Sequence, residues 1–520
     1  MRRPARRKGA RTQVSSTYSV PAPVKGWNAR DSIATMRPGD AVMLKNFFPL
    51  SSDVVLRPGH EDYVTVNEAA QVETLASYRP MTGSHKLFAF VGSKIFDASA
   101  AGALTSPVVT GLTSARWQTT NFTTIAGNFL LAVNGADNMR LYDGSSWTAV
   151  TGVSTPAITG VSTSTLVHVN VFKERVWYTQ ANTLDVWYSG PGAFAGALTK
   201  FSLASIFKRG GYLVGMASWT IDGGTGVDDL AVFITSQGEV AVYQGTNPAS
   251  ASTWALVGIY NLAPPLGRRC FLKYGGDLLL LTSDGIVPAS QALIDSRRSH
   301  STAVSDRISG AIGDATSLYG SNFGWEMTLY PIGGALILNV PKSVGLQEQY
   351  VMNTTTNSWA QFTGWTANCF EVHNDQLYFG SNAAVHRAWH GTSDRGGNIV
   401  GEMVAAFDYF GNRDGLKSIK MVRPVIGWDA NPAEILLGVD VDFVLQTPTG
   451  AIAFSGSSGS LWDSALWDVA VWGGEVSLNK NWYSAFGLGY AIAPHLKVSS
   501  SRASIRVAAF DYVFERGGVL

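Results

Sequence analysis

Cysteine is nearly absent. Cys270 and Cys369 are the only two in 520 residues, so no disulfide framework is available, and their separation matches no metal motif. Charge is scarce as well: Asp, Glu, Lys and Arg make up 15% of the chain, against roughly 25% in an ordinary soluble domain. No apolar run approaches the roughly 18–20 residues that cross a bilayer as a helix, so no membrane span is expected. The basic N-terminus is not followed by an apolar stretch, so no secretory signal is expected and the chain reads as made in the cytoplasm. Enzyme signatures are missing too. There is no phosphate loop, dinucleotide fingerprint, nucleophile elbow or His-Glu-x-x-His motif. These gaps leave no catalytic residue, metal ligand or cofactor to name, and the chain is expected not to be an enzyme.

Glycine (55 residues) and tryptophan (16) are abundant instead. Many tight turns joined to large buried surfaces indicate a β-rich protein, long enough for more than one domain. The dominant local signal is the β-hairpin. Stretches such as KLFAFVGSKIFDAS (86–99), LAVFITSQGEVAVYQG (230–245) and DQLYFGSNAAVHRAWHG (375–391) pair Val, Leu, Ile and aromatic runs across Gly, Asn or Ser, which is hairpin chemistry. Taking Gly92, Gly135, Asn182, Gly238, Gly285, Gly345 and Asn382 as turn markers, the intervals run from 37 to 60 residues. Hairpins recurring at that spacing predict an all-β fold built on a β-propeller of about 6–7 blades.

Helix is expected once, over 300–320, where Val304, Ile308 and Ile312 form one apolar stripe. Ser305 or Ser301 would cap its start and Gly320 would end it. Beyond residue 395 the strands lengthen. SIRVAAFDYVFE (504–515) suits a final antiparallel strand, and AFDYFG (406–411) echoes AFDYVF (509–514), which predicts two strands in similar surroundings. The organisation expected is a basic arm and linker over 1–25, N-terminal strands over 26–75 belonging to a platform or a first blade, a propeller over 76–395, and a C-terminal β platform over 396–520.

Three groups of residues attract a functional reading. Arg2, Arg3, Arg6, Arg7, Lys8 and Arg11 place six cations in the first 11 residues, leaving 33 cations against 38 anions elsewhere. Such an arm can dock on nucleic acid or an acidic partner, or remain a solvated tail. Asp222, Asp228 and Asp229 gather around three glycines in DGGTGVDD, without the ligand spacing of a calcium loop. They form either a movable DNA-repelling loop or a solvated outer one. Trp462, Trp467 and Trp472, five apart in LWDSALWDVAVW, match neither the strand nor the helix period. They are expected to fill a subunit or domain interface, with a sugar-stacking platform as the competing reading.

Two further features read as structural. His386 and His390 in HRAWH have metal-motif spacing, but no Glu follows the first and the context is strand-like, so they are expected to be satisfied or surface histidines. YDGSSW (142–147) is similar to the end of the Asp-box turn of sialidase propellers, and equally to ordinary hairpin chemistry.

Several longer stretches carry a family resemblance. ITSQGEVAVYQGTNPASASTWALVGIYNLAPPLGRRC (234–270), GGDLLLLTSDGIVP (275–288), YVMNTTTNSWAQFTGWTANCF (350–370), LWDSALWDVAVWGG (461–474) and the opening GWNARDSIATMRPGDAVMLKNFFP (26–49) resemble tail nozzle (tail tubular) proteins of short-tailed bacteriophages. That resemblance implies a propeller joined to a β platform, in a ring of six copies below the portal and adaptor proteins, with double-stranded DNA passing along the ring axis. It also implies a place in the virion tail and contacts to tail fibres or spikes. The alternatives are a glycan-binding or glycan-cleaving propeller enzyme of the tail, and a cellular propeller interaction scaffold.

Overall fold

The strand Lys86–Val91 shows how the pattern builds the molecule. Leu87, Ala89 and Val91 enter one hydrophobic cluster, with Val72, Val64, Tyr378 and Val385. Phe88 and Phe90 enter another, with Trp117, Leu130 and Tyr142. A strand whose side chains alternate between two dry cores must lie in a sheet covered on both faces. The same division recurs at Gly127–Val133, where Leu130 and Ala132 face one cluster and Leu131 and Val133 the next. It recurs again at Arg175–Gln180, with Val176 and Tyr178 on one side and Trp177 on the other.

The computed structural model describes residues 15–517 except 223–226, 293–302, 430–433, 454–476 and 480. The chain divides into two compact units. One comprises Pro58–Asn357 and Gln361–Gly396; the other comprises Met1–Arg57, Ser358–Ala360 and Gly397–Leu520. The N-terminal strands therefore split between the units at residue 57, and the propeller sequence starts earlier than residue 76.

The first unit is a seven-bladed β-propeller. Its innermost strands are Val72–Tyr78, Gln118–Thr124, Leu166–Phe172, Leu213–Asp222, Phe271–Tyr274, Glu326–Tyr330 and Cys369–His373. Each begins a run of antiparallel neighbours, and each innermost strand or its blade partner touches the next in cyclic order, the last returning to the first. The seven turn markers fall where the second strand turns into the third in successive blades, six of them between the two strands and Gly285 as the first residue of its third strand. Gly238 shows why glycine is needed there. Its φ is +78° and a Cβ would come within 2.3 Å of the Leu262 carbonyl oxygen, so any side chain would force the neighbouring strand away. The fourth strand of the seventh blade is His60–Val66, which pairs with Ala384–Ala388. The start of the propeller sequence thus completes its last blade and leaves the circle without an open seam.

The helix is shorter than expected. A 3₁₀ turn at Asp306–Ile308 precedes the α-helix Ser309–Tyr319, with Gly320 directly after it. Ser305 does not cap it, because its hydroxyl is the acceptor for the Ile286 N–H at 3.0 Å. Ser301 lies outside the described residues. Ile308 and Ile312 of the expected stripe are buried, and the helix packs on the strands Gly285–Pro288 and Ala335–Ser343.

The second unit is the β platform, and both chain ends build it. Ser16–Pro21 pairs antiparallel with Ile505–Arg516, which pairs in turn with Lys417–Trp428. A second run of strands places Asp40–Lys45, Ile399–Ala405, Ile492–Ser500 and Glu434–Val441 side by side. The echo between 406–411 and 509–514 has a different meaning from the one expected. The first copy is mostly loop, and its Phe410 packs against Tyr512 and Phe514 of the second at ring separations of 5.1 Å. The two segments are partners. Strand Tyr483–Gly489 pairs with Lys417–Trp428 and reverses the usual pattern. Gly487 and Gly489 face inward against Val439 and Val441, where a Cβ would fall 2.9 and 2.2 Å from Val441 methyl groups. Phe486, Leu488 and the following Tyr490 are exposed.

Candidate functional site

The innermost strands of the propeller enclose a channel. At the end where they turn into their second strands lies a funnel of about 730 Å³, lined by Arg79, His85, Pro331, Glu371, Asn374 and Asp375 among others. Towards the end where the same strands begin is a chamber of about 250 Å³. Glu326, Met327, Phe370 and Glu371 form walls of both.

Two ion pairs organise this channel. Arg269 donates from Nη1 to Glu326 at 3.1 Å and from Nη2 to the Thr74 hydroxyl at 2.8 Å and the Glu73 carbonyl at 2.9 Å. The Glu326 carboxylate also accepts the Phe370 N–H at 3.2 Å. The guanidinium of Arg269 stacks over Phe323 at 5.3 Å, and Arg116 lies over the same ring at 4.3 Å. Burial lowers the basicity of Arg269, but Glu326, with Cys369 and Glu73, more than restores it, while burial raises the Glu326 carboxyl against the opposing pull of Arg269. Arg79 donates to Glu371 at 2.7 Å and to the Val372 carbonyl. Burial pushes the Glu371 carboxyl up to about 7; Arg79 opposes the shift and Glu326 adds to it.

Histidines near the axis are held neutral. Burial, then repulsion from His85 and Arg79, takes His373 down to about 4, and its Nδ1 sits 2.8 Å from the Ser77 hydroxyl. Burial, reinforced by Arg268, takes His168 down to about 4. Burial also pushes both Cys270 and Cys369 up to about 12, so neither thiol supplies a nucleophile near neutral pH. What the arrangement offers chemically is charge recognition around one carboxyl, Glu371, that exchanges its proton near neutrality.

The residues singled out in the sequence fall elsewhere. The arm with Arg2, Arg3, Arg6, Arg7, Lys8 and Arg11, and the tryptophans Trp462, Trp467 and Trp472, lie outside the described residues. Asp222 and Asp228 stand on the facing innermost and second strands of the fourth blade, where Asp222 pairs with Val227 and Asp228 with Ile221. Asp229 sits 2.9 Å from the Lys173 ammonium and accepts the Thr220 hydroxyl at 2.8 Å. Burial alone would raise its carboxyl, but these two bonds hold it below the usual range. YDGSSW forms a local turn in which Asp143 accepts the N–H groups of Ser145 and Ser146, and Trp147 packs on Phe88 at 4.9 Å. His386 is buried, with Nε2 2.6 Å from the Ser381 hydroxyl and Nδ1 2.8 Å from Asp62. Among the described residues no cluster of His, Cys, Asp and Glu is arranged to hold a metal.

No family model and no curated protein matches the chain. Among solved structures, it is similar over 64% of its length to 96% of BBS1N in complex with ARL6DN, at 9% identity and a TM-score of 0.38. It is similar over 64% to 97% of YCF48 bound to D1 peptide, at 12% identity and a TM-score of 0.36. It is also similar over 60% to 99% of the Cps50 (Swd1) β-propeller domain of Myceliophteria thermophila, at 11% identity and a TM-score of 0.34.

Proposed function

We propose that this protein acts through its contact surfaces as a structural interaction scaffold, and that its particular form is the tail nozzle of a short-tailed bacteriophage. The observation that carries the broader reading is the construction of the platform. Both chain ends are zipped into it, Ser16–Pro21 against Ala509–Phe514, and the outward face of Tyr483–Gly489 carries Phe486 and Leu488 at 84% and 63% exposure. Large apolar side chains outside with glycines inside favour contact with another protein surface. The finer reading rests on the sequence stretches that resemble nozzle proteins. In that form the chain joins a ring of about six copies by heterologous contacts that close, beside portal-adaptor proteins and tail fibres or spikes.

Sedimentation or native mass measurement of the purified full chain tests both levels. A closed ring of about six copies supports the nozzle. A monomer that binds another protein leaves the scaffold and removes the nozzle. A monomer that hydrolyses a glycan overturns both.

A further inference from the structure

We infer that the chamber of the propeller channel is a binding site for a small oxyanion, a phosphate or a carboxylate, held chiefly by Arg268 and His168. The charges in the channel are unevenly matched. Arg269 is committed to Glu326 and Arg79 to Glu371, which uses both carboxylates that line the chamber. Arg268 lines the same chamber, and among the described residues no carboxylate lies within ion-pair distance of it. Removal from water lowers its basicity. A half-buried guanidinium without a counter-charge keeps five N–H donors unspent, in the planar fork that suits carboxylate and phosphate.

The walls around it favour an anion as well. His168 is buried, and its Nδ1 has neither solvent access nor a hydrogen-bond partner. With Nδ1 shut off, Nε2 is the ring nitrogen left to meet a ligand. The ring lies against Gly215, where a Cβ would stand 3.0 to 3.2 Å from its atoms, so a larger residue on the fourth blade would displace it. Thr119 and Thr120 of the second blade add hydroxyls to the wall. Glu371 stands on the wall of both the funnel and the chamber, and its proton uptake near neutrality reduces repulsion of an anion there.

The test uses the purified full chain titrated with inorganic phosphate alone and with acetate alone, followed by calorimetry and by ³¹P line broadening of phosphate. Saturable binding of either probe at one site per chain is expected, and the tighter probe names the class. Arg268→Gln should weaken binding by on the order of tenfold or more, the loss of a charged hydrogen-bonding partner, while Arg506→Gln, an exposed cation of the platform, leaves it unchanged. Should Arg268→Gln misfold, His168→Gln provides the second reading, and it should weaken binding several-fold. Absence of saturable binding of both probes to the wild-type chain, or unchanged affinity in a folded Arg268→Gln variant, overturns the assignment. Ring formation is a separate measurement, so the fate of the nozzle reading does not decide this one.

Discussion

His386 and Asp62 face each other across the seam that closes the propeller, with Nδ1 and Oδ1 2.8 Å apart. The residues on either side repeat the theme. Arg387 pairs with Glu61, Arg395 with Asp62 at 2.9 Å, and His60 with Asp394 at 2.9 Å. Two Arg–carboxylate pairs and two His–carboxylate contacts therefore gather where His60–Val66 meets the last blade. Burial and the neighbouring His60 take His386 down to about 4 despite the pull of Asp62. A neutral ring beside a carboxylate carries its proton on Nδ1, although the contact lacks hydrogen-bond alignment, and leaves Nε2 to accept the Ser381 hydroxyl proton.

The seam contacts should differ in worth according to what each leaves behind. Asp62→Ala removes the carboxylate beside the Nδ1 of a buried, neutral imidazole and should cost about 1–3 kcal/mol in chemical denaturation. Glu61→Ala breaks contacts between partners 44% and 29% exposed, and should cost at most about 1 kcal/mol. Equal costs at the two positions would show that the buried histidine does not depend on Asp62.

The two units should respond to acid with opposite sign. In the propeller, His168, His373 and His386 all lie near 4 when folded, below the unfolded value of about 6.5. The folded form then binds fewer protons, so stability declines as pH falls from about 6.5 towards 4 and is lost in full below that. For the buried His168 alone this amounts to on the order of 3 kcal/mol. In the platform, burial lowers His495, but hydrogen bonds to Asp440 and Glu402 at 3.0 Å raise it above its ordinary value. Its contribution is present in full below about 6.5 and fades as pH rises through the raised value. Amide exchange at pH 5 and pH 7.5 should show protection lost on acidification mainly within residues 60–396. Greater acid loss around Ile492–Ser500 would contradict this.

Glu371 should make the fold less stable as it ionises. Its carboxyl, raised to about 7, holds a proton in the folded state that the unfolded chain releases above about 4.3. Stability from this group therefore declines from about pH 4.3 to 7. Thermal melts of Glu371→Gln should gain on the wild type between pH 5 and pH 8. A constant difference across that range would mean that Arg79 keeps Glu371 ionised throughout.

Assembly should depend on the exposed row of the platform. Phe486→Asp together with Leu488→Asp should reduce any ring to smaller species in sedimentation while leaving the melting temperature nearly unchanged, because neither side chain is buried. Trp467→Ala, in the segment outside the described residues, is expected to weaken assembly more than folding. Intact rings from both variants would move the interface elsewhere.

The propeller was legible because its signal is local. The markers from Gly92 to Gly345 all have the positive φ that favours Gly or Asn, and the alternation of Lys86–Val91 is visible in six letters. The channel was not. Arg79, Arg269, Glu326 and Glu371 come from four different blades, and no spacing rule links residues joined only by a closed circle of strands. A trace did exist in Glu371 within CFEVH and Glu326 within WEMTLY, single charges inside otherwise apolar strands. The helix start was misplaced because Ser305 gave its hydroxyl to a tertiary partner, and the AFDY echo misled because similarity of sequence said nothing of mutual contact.

The pairing of Ser16–Pro21 with Ala509–Phe514 also imposes an order of events during synthesis. The first strand of the platform leaves the ribosome when its partner has not yet been made, and nearly the whole chain must follow before the two can meet. Contacts so distant in sequence form slowly, whereas hairpin-rich blades can collapse as they emerge. The propeller thus has time to fold before the platform that both ends complete, and the opening strand stays unpaired through most of translation. A chain interrupted late would then release a folded propeller bearing an unfinished platform with an unpaired strand edge, the form of this protein most exposed to aggregation.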